Sequence, residues 1–373
     1  MHRLTSRPAR LALATVALAA ACTSRDAERA DSASPAAARA DSGTAAGEET
    51  ATASTEPGAP NGEMQAVLGE LASLGGKPIE TLTPAQARQQ PTPTDAVMSL
   101  LKEQGKPTAP TTLVPGITSV DRTIPGAAGQ LPARVYTPEG AGPFPVIVYY
   151  HGGGFVIADK DVYDGGARGL AKAANAVVVS VDYRRAPEHK FPAQHDDALA
   201  AYRWVSANAA SLKGDPERLS LAGESAGGNL AVATAVGARD AKLPAPRHVI
   251  AVYPVAQTDT TTASYNTYAA AKPLNRPMMG WFVKHTVRSA ADLKDPRLNL
   301  IGANLRGLPP VTIVNAEIDP LRDDGAMLEK ALKDAGVEVE RRNYAGVAHE
   351  FFGMGAAVPQ AKEAQEWAGR RIK

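Results

Sequence analysis

Residues 219–229 read LSLAGESAGGN, and the succession of residue types around this stretch decides the fold. It holds Gly-x-Ser-x-Gly as Gly223, Glu224, Ser225, Ala226 and Gly227. A short apolar run at 218–222 precedes it, and a small-residue helical pattern at 229–236 follows. The motif carries chemistry only between a strand and a helix; elsewhere the same five residues make an ordinary turn. Between strand and helix the serine is held in a strained backbone conformation, so its neighbours must be glycine or small. Its hydroxyl then projects above the sheet edge, at the start of a helix whose free N–H groups and dipole favour an anion. Ser225 is therefore a candidate nucleophile.

Outward from this stretch, strand and helix patterns alternate from Pro145 onward. Strand runs at 146–150, 177–182, 218–222, 249–253, 311–316 and 337–344 are interleaved with helical spacing at 166–174, 196–207, 229–236 and 326–335. Trp204 is expected to point inward, and a last helix is expected over 360–370. Near-continuous apolar strands between helices predict an α/β fold, a mostly parallel central sheet covered on both faces. Ligands then sit at the carboxyl ends of the strands. Upstream, 117–124 and 131–136 read as two strands with a turn at Pro125-Gly126. Residues 63–75 and 95–104 have helical spacing, the second capped by Thr94 or Asp95. The interval 257–302 is too long for a simple connection. It carries Met278, Met279, Trp281, Phe282 and Val283 at helical spacing. With 63–116 it predicts a helical cap over the strand ends, ordinary core helices being the alternative for any single residue there. No internal repeat is present.

His151-Gly152-Gly153-Gly154-Phe155 follows directly on the 146–150 strand. Successive glycines there let bare backbone N–H groups converge on one point, which acyl transfer needs for the negative oxygen of its tetrahedral intermediate. A serine hydroxyl also needs a base and an orienting acid. His349 lies just past the last strand, where a loop can bring it over Ser225. His2, His189, His195, His248 and His285 fit less well, and His151 reads as a support of the glycine loop. Asp319 follows the 311–316 strand, with Glu317, Asp323 and Asp324 as close rivals. The order Ser225, Asp319, His349 is the nucleophile–acid–histidine order of α/β-hydrolases.

From about residue 120 to its end the chain resembles the hormone-sensitive-lipase-like family of α/β-hydrolases, the bacterial family IV esterases. The resemblance rests on HGGGF at 151–155, YRRAPEHKFPA at 183–193, GESAGGNLA at 223–231, DPRLNL at 295–300, EIDPLRDDG at 317–325 and GVAHEF at 346–351. It implies Ser225 as nucleophile, Asp319 as acid and His349 as base. It also implies the N–H groups of Gly153, Gly154 and Ala226 as oxyanion donors, and a cap from the N-terminal segment and the interval before the acid strand. The implied activity is that of a serine carboxylesterase acting on short to medium acyl esters. A lipase, a hydrolase of polysaccharide or xenobiotic esters, and a non-catalytic binding protein on the same scaffold are the alternatives. The sequence departs from the family pattern at Glu224 (usually Asp), Arg185 (usually Leu), Ala158 (commonly Gly) and Asn299 (commonly Ser). Arg185 and Ala158 bear on the pocket wall.

The remaining features concern partners and location. Apolar residues make up 44% of the 373-residue chain, enough for a substantial core. The net charge of +1 gives no sign of a nucleic-acid partner. No metal-ligand spacing is present and no cofactor is expected; the expected partner is a small-molecule ester, with the chain a monomer or a homodimer. Arg3, Arg7 and Arg10 followed by LALATVALAAA at 11–21 have the layout of an export signal, too short to span a bilayer. Its removal takes the net charge from +1 to −2. Cys22, the one cysteine, follows Leu18-Ala19-Ala20-Ala21, which resembles a lipoprotein box; soluble export after cleavage at Ala21 is the alternative. Residues 23–62 contain no Leu, Ile, Val, Met or aromatic residue and cannot offset their ordering entropy. A tether of roughly 40 residues has a mean reach of about 35 Å. The expected organisation is a signal peptide at 1–21, a disordered linker at 22–62 and an α/β-hydrolase domain at 63–373, held at a bacterial cell envelope by lipidated Cys22 or exported free.

Overall fold

A computed structural model describes residues 58–372. The expected signal peptide, Cys22 and nearly all of the expected linker lie outside the described residues. The chain enters with α1 (Gly62–Ser73), α2 (Pro84–Ala87), α3 (Pro93–Glu103) and α4 (Pro110–Leu113), then β1 (Ile117–Gly126), β2 (Gly129–Pro138) and β3 (Phe144–Tyr150). Alternation follows: α5 (Asp164–Ala174), β4 (Val177–Val181), α6 (Ala193–Asn208), β5 (Gly214–Glu224), α7 (Ala226–Asp240) and β6 (His248–Val252). Then come α8 (Ala263–Thr267), α9 (Arg276–Thr286), β7 (Val311–Ile318), α10 (Arg322–Asp334), β8 (Val339–Ala348) and α11 (Pro359–Gly369). Among the described residues no helix is long and apolar enough to cross a membrane.

The eight strands form one sheet in the order β1-β2-β4-β3-β5-β6-β7-β8. β1–β2 and β2–β4 pair antiparallel, and every pair from β4 to β8 is parallel. The inner strands are buried on both sides because alternate residues feed two cores. Val146, Val148, Val177, Val179, Leu219, Leu221 and Val249 pack beneath α6, α7 and α10. Ile147, Tyr149, Val178, Ala222, Ile250 and Val252 pack on the opposite face, beneath α5 and α11. This is why those runs lack a polar alternation. A third cluster lies apart from both: Ala87, Tyr265, Leu274, Met278, Met279, Trp281 and Phe282, together with Val156, Ala186 and Leu321 from the loops at the strand ends.

Several local expectations are corrected. The β1–β2 turn is Ala127-Ala128, because Pro125 and Gly126 pair with Gln130 and Gly129 and extend the ladder. The cap of α3 is Thr92, whose hydroxyl accepts from the Asp95 amide while the Asp95 carboxylate accepts from the Thr92 amide. Asp95 thus sits inside the helix as the reciprocal partner of a capping box, and Pro93 takes the first turn, where no N–H is needed. Trp204 does pack against the core, half-buried, as expected, beside the fully buried face of α6 formed by Ala198, Ala201, Tyr202 and Val205. Ordered chain begins before residue 63. The Asn61 amide donates to the Gly346 carbonyl at 2.9 Å, and its side chain accepts from the Met64 amide at 2.8 Å, capping α1.

Candidate active site

Ser225 occupies the corner between β5 and α7 with φ 57 and ψ −116. A left-handed φ on a non-glycine residue is strained and persists only when its surroundings enforce it. Here the Ser225 amide donates to the Val252 carbonyl at 2.8 Å, and the Ser225 carbonyl accepts from the Val255 amide at 3.2 Å. Asn229, one turn into α7, donates to the carbonyls of Val255 and Leu298 and accepts from His195 Nε2 at 2.9 Å. The glycines around the serine are required by packing: a Cβ on Gly227 would run into the Tyr150 and His151 carbonyls.

His349 follows the last residue of β8, and Asp319 the last residue of β7. Their side chains meet that of Ser225: His349 Nε2 lies 3.0 Å from Ser225 Oγ, and His349 Nδ1 lies 2.7 Å from Asp319 Oδ2. Asp319 is fully buried, and its other oxygen accepts from the Leu321 amide at 2.8 Å. The rival acids are engaged elsewhere. Glu317 accepts from the Gly346 amide, Asp323 from the Ser264 amide, and Asp324 from the Ala256 amide and the Gln257 side chain. Burial pushes the Asp324 carboxyl up to about 8.

Gly153 and Gly154 share the lining of one cavity with Ser225 and His349. Both glycines have left-handed φ, 88 and 58, and a Cβ on Gly153 would meet the Ile157 carbonyl. Among the described residues the amides of Gly153 and Gly154 donate to no protein acceptor, and Ala226 is the first residue of α7. The loop is braced from beneath. The Val156 and Ile157 amides donate to the Gly153 carbonyl, the Tyr183 hydroxyl donates to the His151 carbonyl at 2.9 Å, and the His151 ring stacks on Tyr183. His151 is fully buried, which lowers its pKa, and it stands as a support of the loop.

Four residues around the imidazole were not singled out from the sequence. The Tyr163 hydroxyl donates to Glu350 Oε1 at 2.6 Å, and that oxygen lies 3.8 Å from His349 Nε2. The Tyr253 ring lies 4.5 Å from that of His349, and the Tyr149 and Tyr253 hydroxyls donate to Glu224. Burial pushes Glu224 up to about 8, with a further contribution from the charge of Glu350. Burial opposes a charge on His349, but Asp319, Glu350 and Glu224 outweigh it and hold its pKa above the ordinary imidazole value. The available signal was tyrosine at the ends of otherwise apolar strands and a carboxylate directly after the histidine.

The cavity has a volume of about 490 Å³. Leu68 and Leu71 of α1, residues 76–80, 87–88 and 90–93, Lys272 to Leu274, and Met278, Met279 and Phe282 of α9 also line it. The Trp281 indole donates to the Leu82 carbonyl at 3.0 Å and ties α9 to the N-terminal segment. A buried hydroxyl–imidazole–carboxylate chain that opens on a mostly apolar cavity beside free amides is equipped for acyl transfer.

The chain is similar to known proteins. Residues 147–353 match the family described as the alpha/beta hydrolase fold. The chain is 42% identical over 262 residues to carboxylesterase NlhH of Mycobacterium tuberculosis, covering 68% of this chain and 82% of that protein. It is 36% identical over 238 residues to an ethyl acetate hydrolase of Pseudomonas putida, covering 62% and 75%. The structure of a hyperthermophilic esterase from the archaeon Pyrobaculum calidifontis superposes with a TM-score of 0.76 at 35% identity, covering 84% of this chain and 98% of that one. With the eight-stranded, mostly parallel sheet and the serine at its elbow, these matches place the chain in the hormone-sensitive-lipase-like, bacterial family IV esterases, carboxylic ester hydrolases of the α/β-hydrolase superfamily.

Proposed function

We propose that this chain hydrolyses short to medium acyl esters through an acyl-enzyme, with Ser225 as nucleophile, His349 as general base and acid, and Asp319 as the group that orients the imidazole. One observation carries the reading: Ser225 Oγ, His349 Nε2 and Nδ1, and Asp319 Oδ2 form a continuous chain with steps of 3.0 and 2.7 Å at the wall of the cavity. Ser225 Oγ attacks the ester carbonyl carbon while its proton passes to His349 Nε2. Asp319 holds the proton on Nδ1 and stabilises the imidazolium. The amides of Gly153, Gly154 and Ala226 take the oxyanion, each donor contributing about 10²–10³-fold in rate. The imidazolium protonates the leaving alcohol. A water then loses its proton to Nε2 and attacks the acyl carbonyl; as the acyl C–Oγ bond breaks and the acid leaves, the imidazolium returns that proton to Ser225 Oγ. The helices and loops around the cavity act as a cap that limits the acyl chain, and an apolar wall of this size favours short to medium chains over long ones.

Ser225→Ala should reduce turnover of 4-nitrophenyl butyrate by about 10⁶-fold, and an organophosphate should modify Ser225 alone in a peptide map. A merely twofold loss, or labelling at another residue, would move the nucleophile elsewhere. We also propose that residues 1–21 direct export and that Cys22 carries lipid, so that the enzyme works at the cell envelope. Fatty-acid label should be present on the wild type and lost in Cys22→Ser; an unlabelled wild type, or label that survives the substitution, would exclude Cys22 as the lipid site.

A further inference from the structure

Two guanidinium groups stand in the cavity wall, Arg88 and Arg185, and their surroundings differ. Arg88 makes a bidentate pair with Glu188 at 2.7 and 2.8 Å and donates to the carbonyls of Val156 and Ala186. It is neutralised and serves as a staple. Arg185 is half-buried and donates from Nη1 to the Ala158 carbonyl. Among the described residues its side chain makes no other hydrogen bond and has no carboxylate within ion-pair distance; Glu188 feels its charge but has both carboxylate oxygens bonded to Arg88.

The acids of the same wall do not answer it. Asp159 spends an oxygen on the amides of Asp161 and Val162, and Glu350 is held by Tyr163 beside His349. Glu80 bonds neither arginine, and the lining lysines, Lys77 and Lys272, are exposed to solvent. Arg185 is thus a fixed cation in a partly apolar cavity that also opens on Ser225. A guanidinium keeps its charge at any working pH, and partial burial without a counter-charge is costly. Its planar set of donors matches a carboxylate in bidentate fashion, and one bond to a carbonyl leaves most of that set unspent.

We propose that Arg185 forms an anion subsite within the substrate cavity, selecting esters that carry a carboxylate on the acyl chain or on the alcohol. The Ala158 carbonyl positions the guanidinium, and the substrate carboxylate supplies the missing counter-charge. The inference rests on the reading of Ser225 as nucleophile and goes beyond it in naming a substrate class.

The test compares kcat/KM for matched pairs in the full chain: mono-4-nitrophenyl glutarate against 4-nitrophenyl pentanoate, and 4-acetoxybenzoate against phenyl acetate. The first pair places the anion on the acyl side and the second on the alcohol side. In at least one pair, Arg185→Leu should lower the anionic-to-neutral ratio by roughly 10–100-fold, as expected for loss of a charge-assisted pair. The loss should fall mainly in KM, and Arg185→Lys should restore part of it. Arg185→Gln, which can still bond the Ala158 carbonyl, carries the same readout if the leucine variant does not fold. Ratios that stay within twofold of wild type in both pairs, or neutral and anionic esters that fall together, overturn the subsite. Failure of the wild type to hydrolyse either neutral ester would refute the esterase reading instead.

Discussion

At the scale of single residues, His349 sets the working pH. Its pKa is held above the ordinary imidazole value because Asp319, Glu350 and Glu224 outweigh its burial. A raised pKa keeps the ring protonated, and therefore unable to accept the serine proton, to a higher pH. The acid limb of kcat/KM should then have its midpoint above the unperturbed value of about 6.5. A midpoint at or below that value would show that burial wins. Asp319→Asn should cost about 10⁴-fold in kcat, the loss typical when the imidazole is left in the wrong tautomer. That Ser225, Asp319 and His349 come together was legible in the sequence because each stands in a short motif at a strand end. Glu350 was not, because its role depends on Tyr163, 187 positions away, and no local spacing reports such a contact.

At the scale of elements, the β5–α7 corner is the most constrained joint. Gly227→Ala drives a methyl group into the carbonyls of Tyr150 and His151, so it should displace β3 or α7. We expect a melting temperature lower by several degrees, since overpacking of this kind costs about 1–3 kcal/mol, together with a fall in kcat. Unchanged stability and activity would mean that the joint yields easily. The strands from β3 to β7 could be read directly, because strands buried on both faces leave an unmistakable apolar run; β8 is half exposed, and the short α8 gave no signal. Boundaries were harder. Thr92 lies two or three residues ahead of the expected cap, because a reciprocal capping box starts the helix before any apolar residue appears. The β1–β2 hairpin closes at Ala127-Ala128, because a proline at an edge strand can stay in the ladder.

At the scale of the whole molecule, buried ionisable groups shape stability against pH. Burial lowers His195 and His248 to about 4, from 6.5. Below 6.5 the unfolded chain takes protons that the folded chain refuses until about 4, so these two groups lose stability as pH falls through that window. Glu224 and Asp324, raised to about 8, act in the opposite sense: their contribution is complete at acid pH and is lost as pH rises through 8. The melting temperature should therefore be higher at pH 6 than at pH 9, and Asp324→Asn should narrow that difference. A melting temperature still climbing at pH 9 would show that these carboxyls do not govern the alkaline side. The layered sheet could be foreseen from the sequence. That α1, the 76–93 segment and α9 close on one cavity could only be guessed at, since contacts such as Trp281 to Leu82 span 199 positions.

That last contact has an evolutionary side. Ser225, Asp319 and His349 stand just past the ends of β5, β7 and β8, whereas much of the enclosing wall comes from the stretch before β1 and the insert between β6 and β7. Most of the wall and the Ser225, Asp319 and His349 side chains thus come from different stretches of the chain, Arg185 being a wall residue that belongs to neither of those two stretches. Recombination at the edges of those two stretches, exchanged as a matched set, would replace most of the wall while leaving Ser225, Asp319, His349 and Arg185 where they stand.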